Sequence, residues 1–344
     1  MQVDVLTIGD ALIDTFMGVH EDARYCYFDE TKGDICFASG AKIMVESVQF
    51  LLGGNASNVG VGLARFGFKS AVAAEIGGDE FAQKILKELK TEGVDLSYIK
   101  QTATAESTFS VGITLHNERT LFVHHVEREH DVPIEDCQPT WIYLTSVGHT
   151  WEGLYKKATE LKKKTNAKLM FNPGSKQLLT GRESFKDQLA IADVLIVNRE
   201  EAEEIMYGAP QHADSPATAP ETLLRALQQL GPKEVCVTDG QKGAWAAHED
   251  GSIYHMGLAP ATLVEKTGAG DAFSTGFLAA HMEGKTLQEA LEWGSLESAS
   301  VIEHVGAQKG LLTKQGLQER IKTLREVPNI DTILPAEAKL PNNQ

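Results

Sequence analysis

The chain has 344 residues, 42% hydrophobic and 23% charged, which suits one large α/β domain with an accessory piece, or two domains, around a sizeable core. Its formal net charge of −16 would repel nucleic acid and anionic lipid headgroups, so neither is an expected partner. No apolar run reaches membrane-spanning length and Met1 to Asp10 lacks the basic and apolar regions of a secretion signal, so a cytoplasmic protein with reduced thiols is expected.

Val3 to Ile8 reads as a buried first strand, and Gly9 to Asp14 as the loop at its C-terminal end. Ligands bind at that edge of open α/β sheets, which makes Asp10 and Asp14 candidates, with Asp10 the one expected to cap a turn. Tyr25–Phe28 and Ile35–Phe37 flank the turn residues Asp29–Asp34 and predict a hairpin, across which Cys26 and Cys36 could face each other. Lys42–Leu52 reads as another strand. From Ser107 to Val126, Phe109, Val111, Ile113 and Leu115 alternate, Asn117-Glu118-Arg119 turns, and Thr120–Val123 returns. These two regions would form a small separate sheet: a flap over a cleft, a plain edge extension, or a dimer surface.

Gly53-Gly54-Asn55-Ala56-Ser57-Asn58 opens a helix in which Gly60 and Gly62 allow close packing. A strand at Val72–Gly77 and a helix at Asp79–Thr91 follow. The β-α rhythm continues through strands at Trp141–Leu144, Lys168–Gly174, Val194–Asn198 and Val235–Gly240, with helices at Gly153–Lys164, Glu200–Met206 and Thr222–Leu230 between them. Residues 208–220 read as an exposed loop. Gly243–Ala247 and Ser252–His255 form a hairpin, and helices follow at Leu287–Val305 and Lys314–Leu324; the tail from Asp331 is polar and dotted with proline. Alternating β and α implies a doubly wound, mainly parallel sheet with helices on both faces.

Thr267-Gly268-Ala269-Gly270-Asp271-Ala272-Phe273 stands at the start of a helix. Its glycines let backbone approach a ligand, and the amides and dipole of the helix start attract an anion. Asp271 in that setting suits a base that takes a proton from a hydroxyl beside a transferring phosphoryl group; the alternative is an acid that only complements the helix dipole. Asn198 and Glu201 share a helical face and could organise hydrated Mg²⁺, or form a capping box. Thr238-Asp239-Gly240-Gln241-Lys242-Gly243-Ala244 is either a phosphate-passing turn or a plain β-turn. Gly60, Gly62 and Gly67 miss the dinucleotide spacing, and Gly284-Lys285-Thr286 lacks the first glycine of a P-loop. The neighbours His124 and His125 point to opposite faces of their strand, one of them toward solvent.

Gly53-Gly54-x-x-x-Asn58 with Gly60, Ala64, Gly67 and Gly77-x-Asp79 resembles the N-terminal signature of the ribokinase-like (PfkB) carbohydrate kinases. Thr267–Phe273 resembles their C-terminal signature, Asn198-x-x-Glu201 their magnesium-and-phosphate motif, and Thr238-x-Gly240-x-x-Gly243-Ala244 their nucleotide turn. The four stand in family order and cover about residues 3–325. The resemblance implies a ribokinase-like α/β domain over 1–330, with β-lid segments at about 15–52 and 104–127, before the tail 331–344. It implies ATP- and Mg²⁺-dependent phosphorylation of a hydroxymethyl group on a small sugar or a nucleoside. Asp271 would then be the base, and Gly268, Ala269, Gly270 and Asp271 the anion hole. Asp14, Gly53, Gly54 and Asn58 would hold the substrate. Asn198 and Glu201 would organise Mg²⁺ through water, while Thr238, Gly240, Gly243, Thr267 and Ser300 would lie along the nucleotide. Where relatives begin this signature with Asp-Thr, this chain has Glu265-Lys266; Glu265 is the candidate ligand for a monovalent cation such as K⁺, and Lys266 a candidate to replace that cation. The segment from His20 to Val48 is longer than a minimal lid needs and would line the substrate mouth or meet a second subunit. Sugar phosphorylation is the leading expectation. A nucleoside kinase using Tyr25, Phe28, Phe37 or Phe109 as a stacking surface is the second, and a non-catalytic sensor the third.

Overall fold

A computed structural model describes residues 2–22, 24–29, 31–116, 118–209 and 219–326; the expected tail and most of the loop expected at 208–220 lie outside these residues. The chain starts with β1 (Gln2–Ile8), then enters the first segment expected as a lid with β2 (Leu12–Val19), the hairpin β3 (Cys26–Asp29) and β4 (Asp34–Phe37), and β5 (Val45–Gly53). It returns through α1 (Asn55–Arg65), β6 (Ser70–Ile76), α2 (Glu80–Thr91) and β7 (Ile99–Gln101), and revisits the lid with β8 (Phe109–Leu115) and β9 (Glu118–His124). The run β10 (Gln138–Leu144), α3 (Glu152–Thr165), β11 (Lys168–Phe171), α4 (Ser175–Leu179), α5 (Lys186–Ile191), β12 (Val194–Asn198), α6 (Arg199–Tyr207), α7 (Pro220–Gln228) and β13 (Glu234–Thr238) continues the alternation. The hairpin β14 (Ala244–Ala247) and β15 (Ile253–Met256) precedes α8 (Ala269–Met282), α9 (Leu287–Val301) and α10 (Lys314–Glu326).

The main sheet runs β15-β14-β13-β12-β11-β10-β1-β6-β7, and all but β14 and β15 are parallel. Alternate residues of β10 enter different cores. Ile142 and Leu144 pack with the face covered by α3, α5 and α7, whereas Trp141 and Tyr143 pack with Val59, Phe273 and Leu291 on the other. The strand order reverses between β1 and β10, and a doubly wound sheet opens its crevice at the carboxyl ends of such a pair. The segments expected as a lid form a separate four-stranded sheet, β5-β2-β8-β9, the lid sheet, while β3 and β4 pair in a two-stranded sheet of their own.

The expected alternation is therefore the observed one, with local corrections. Glu118 and Arg119 belong to strand β9 rather than to the turn before it, and β5 starts at Val45, not Lys42. Helix α9 stops at Val301, where Ile302 caps it. The hairpin of β3 and β4 pairs Cys26 with Phe37 and Tyr27 with Cys36, so the two thiols occupy different positions in the ladder; all four cysteines are free. Among the described residues no helix is long and apolar enough to cross a membrane.

Candidate active site

Close helix packing assembles the centre of the crevice. A Cβ on Gly62 of α1 would overlap Thr275 of α8, and one on Gly276 would overlap the Trp293 carbonyl of α9, so α8 is gripped between two helices at backbone distance. That approach carries Asn58, near the start of α1, to the start of α8. Its Nδ2 donates to Asp271 Oδ2 at 2.7 Å, while its Oδ1 accepts from Gln308 Nε2 at 2.8 Å. The amide is thus fixed in one orientation, with its donor on the carboxylate. Thr275 Oγ1 donates to the Asp271 carbonyl at 2.8 Å.

Gly268 caps α8 with φ 77°, in the left-handed region where glycine has no steric penalty. The Ala269 amide turns back to the Lys266 carbonyl at 3.2 Å; the Gly270 and Asp271 amides are first-turn donors with no acceptor inside the helix. Burial pushes the Asp271 carboxyl up from 3.8 to about 6; the Asn58 bond opposes that rise, and negative Asp14 adds to it.

Asp14 enters from lid strand β2. Ser110 of β8 donates to its Oδ1, and a Cβ on Gly53 would overlap its Oδ2, so Gly53 is the residue that leaves room for this carboxylate. Gly54 has φ 92° and would meet the Asp10 carbonyl with any side chain. Burial raises the Asp14 carboxyl, against Ser110 and Arg119, while Glu265 adds to the rise. Asp10 does not cap a local turn. Its amide donates to the Ser146 carbonyl at 2.9 Å, and its carboxylate, pushed up to about 7 by burial, accepts from the Gly148 amide. It ties β1 to the loop after β10, across the reversal in strand order.

On the far side, Asn198 and Glu201 form a capping box: Asn198 Oδ1 accepts from the Glu201 amide at 2.9 Å, and Glu201 Oε2 from the Asn198 amide at 2.8 Å. Burial, with Asp271 and Glu204 adding negative charge, lifts the Glu201 carboxyl to about 7 even though the Asn198 amide pulls it down. Such a carboxylate fits a divalent cation, which would favour its ionised form. Asn198 pairs with Thr238 across β12 and β13. The following turn carries Gly240 (φ 48°) and Gly243 (φ 85°), and Asp239 anchors it to Arg199 at 2.9 Å. Buried Tyr143 sits between the two halves: its pKa is raised, first by burial and then by Asp271, with Glu201 adding a smaller push. Ser300 lies inside α9 with 3% of its surface exposed, which leaves it little surface for a nucleotide to touch.

Glu265 does not fit a monovalent cation. Its Oε1 pairs with Arg119 Nη2 and accepts from the Thr267 amide at 2.7 Å, and its Oε2 accepts from the Gly306 amide at 2.8 Å. Lys266 is exposed. One of the aromatic candidates for stacking also lies elsewhere. Phe109 is next to Ser110 in β8, so it points to the lid face opposite Asp14, where it packs on Phe81 at 6.0 Å and His124 at 5.6 Å. His125 meets His149 edge-on at 6.3 Å. Sequence motifs gave no signal for Gln308, Tyr143 or Arg119, whose roles come from partners far away in the chain.

The profile of the pfkB family carbohydrate kinases matches residues 22–314. The chain is 26% identical over 296 residues to a 5-dehydro-2-deoxygluconokinase of Clostridium perfringens, covering 80% of this chain and 85% of that protein. It is 24% identical over 344 residues to an ATP-dependent 6-phosphofructokinase of Thermoanaerobacterium thermosaccharolyticum, covering 96% and 92%. Among solved structures, the Arabidopsis thaliana ribokinase complexed with ribose and ATP superposes with a TM-score of 0.74 at 19% identity, covering 94% of this chain and 99% of that one.

Proposed function

The chain belongs to the pfkB family of carbohydrate kinases, ATP-dependent enzymes that phosphorylate sugars or nucleosides, and from that premise we propose that it phosphorylates a hydroxymethyl group of a small sugar with Asp271 as the base. The observation that carries this reading is the Asn58–Asp271 bond, which holds a carboxylate at the amide-rich start of α8 and beside Asp14. Asp14 and Asn58 orient the sugar, and Gly53 and Gly54 let it approach the backbone. Asp271 then removes the proton of the hydroxyl. The alkoxide oxygen forms a bond to the γ-phosphorus as the bond to the ADP oxygen breaks, and ADP leaves with the electron pair. The Gly270 and Asp271 amides face the charge that develops on the transferring group. Glu201, with Asn198, would hold Mg²⁺, which supplies charge neutralisation on the phosphates when bound. Thr238, Gly240, Gly243 and Thr267 form the nucleotide side.

A carboxyl held at about 6 is mostly ionised at neutral pH yet basic enough to accept a proton, which suits a general base better than a surface aspartate near 3.8. The sugar reading is preferred to the nucleoside one because Phe109, one of the aromatic residues that could stack on a base, turns away from Asp14. The outward lid face, where Val48, Phe50 and Phe122 stand 46–53% exposed, is the surface we assign to a second copy of the chain. ADP release with ribose, fructose, 2-keto-3-deoxygluconate, 5-keto-2-deoxygluconate, fructose 6-phosphate and adenosine tests the function. Turnover with at least one sugar or sugar acid is expected; turnover with adenosine alone would replace this reading by the nucleoside one.

A further inference from the structure

The ion pair between Arg119 and Glu265 joins the lid to the loop that presents the start of α8. Arg119, Leu121 and Val123 pair with Thr114, Gly112 and Ser110, and Ser110 pairs in turn with Asp14. Strand alternation therefore puts Arg119 on the same lid face as Asp14. Its stem crosses Gly112, where a Cβ would stand 2.9 Å from Arg119 Cδ and from the Phe16 ring. The guanidinium lies 4.8 Å from the centre of that ring and reaches Glu265. The two side chains are only 15% and 10% exposed.

Glu265 gathers the backbone around the anion hole. Its carboxylate takes the Thr267 amide, three residues before Gly270, and the Gly306 amide from the loop after α9, while the Val264 and Glu265 amides both donate to the Ile302 carbonyl. This carboxylate is largely enclosed and lies near Asp14, so burying its charge calls for a positive partner. Arg119 is that partner, and it arrives from the lid. Its Nη1 is buried without an acceptor among the described residues, so the guanidinium keeps a donor in reserve.

We propose that Arg119 is a positioning residue for phosphoryl transfer: by pairing with Glu265 it supplies from within the chain the cation that this loop requires, and it makes the order of the anion hole depend on the lid being in place. The inference rests on the kinase reading above and assigns the lid a role beyond covering the sugar. Because the positive charge is a side chain, turnover needs no soluble monovalent cation.

The test compares wild type, Arg119→Met, Arg119→Lys, Glu265→Gln and the Arg119→Met/Glu265→Gln double variant, each assayed in potassium chloride and in choline chloride. Arg119→Met should lower kcat by about 10²-fold, the scale of a small displacement of the reacting groups, with KM for ATP little changed. Arg119→Lys should recover part of the loss. The double variant should be no slower than the slower single variant, because both changes break one unit. Wild type should turn over equally in the two salts. Multiplied losses in the double variant, an unaltered kcat in Arg119→Met, or strong activation of wild type by potassium would each overturn the proposal. Amide hydrogen exchange on the ligand-free proteins reads the coupling without turnover: residues 264–268 and 303–308 should exchange faster in Arg119→Met than in wild type. Unchanged exchange there sinks the inference even when the kinase reading stands, and faster exchange upholds the coupling even when no tested sugar is phosphorylated.

Discussion

Asn58 Nδ2 lies 2.7 Å from Asp271 Oδ2, a bond between residues 213 positions apart that joins the starts of two helices. It holds the proposed base, moderates the rise in its pKa and leaves its other oxygen for a hydroxyl. Four variants test what this geometry does.

Asp271→Asn removes the base and keeps the shape, since an asparagine oxygen can still accept from Asn58. We expect kcat to fall by about 10²–10⁴-fold, the usual share of a general base, with ATP affinity retained in a calorimetric titration. Stability should change the other way. A folded pKa raised from 3.8 to about 6 means the fold disfavours the ionised form, so stability is full below 3.8, declines as pH rises to about 6 and stays lower above it. The variant escapes a cost of up to about 3 kcal/mol at neutral pH. Its melting temperature should exceed that of wild type at neutral pH and match it in acid.

Asn58→Ala removes the bond that holds the Asp271 carboxyl down, so that carboxyl should rise further above about 6. The acidic limb of the kcat profile should move to higher pH. The loss relative to wild type should be larger at about pH 6 than at about pH 8. A profile that falls uniformly, with no displacement of the limb, would separate Asn58 from proton transfer.

Gly53→Ala places a methyl group where Asp14 Oδ2 now sits. The Asp14 carboxylate must turn away, and sugar kcat/KM should fall by about 10²-fold, the cost of misplacing a substrate-orienting group. Titration with ATP alone should give nearly wild-type affinity, because Thr238 and Gly240 stand on other strands and turns. Weakened ATP binding would show that the damage had spread beyond the sugar site.

Glu201→Gln keeps the capping box, because its oxygen can still accept from the Asn198 amide, but loses a carboxylate now pushed up to about 7. Half-maximal activity should require about 10-fold more Mg²⁺, and chelation should stop turnover in both proteins. An unchanged magnesium requirement would return Asn198 and Glu201 to helix capping alone.

The β-α alternation, the small separate sheet and the four motifs were legible because their causes are local. Strand and helix periods, the glycines needed at Gly54, Gly243 and Gly268, and the capping pattern at Asn198 and Glu201 each follow from a few neighbouring residues. Asp10 escaped this logic, since its partners are Ser146 and Gly148 rather than its own turn. Arg119 escaped it too. Beside Asn117 and Glu118 it reads as a turn residue, and only the pairing of β8 with β9 puts it on a strand and on the inner lid face.

By itself, then, the sequence determined the family's motifs and the order in which they occur along the chain. The tertiary structure decided their company: Asn58 with Gln308 on one side and Asp271 on the other, Arg119 against Glu265, and Phe109 turned from the cleft. The reason is physical. Backbone preference and hydrophobic period act over a few residues, whereas burial, hydrogen-bond partners and the charge state of a carboxylate depend on what the packed helices and the lid bring within a few ångströms.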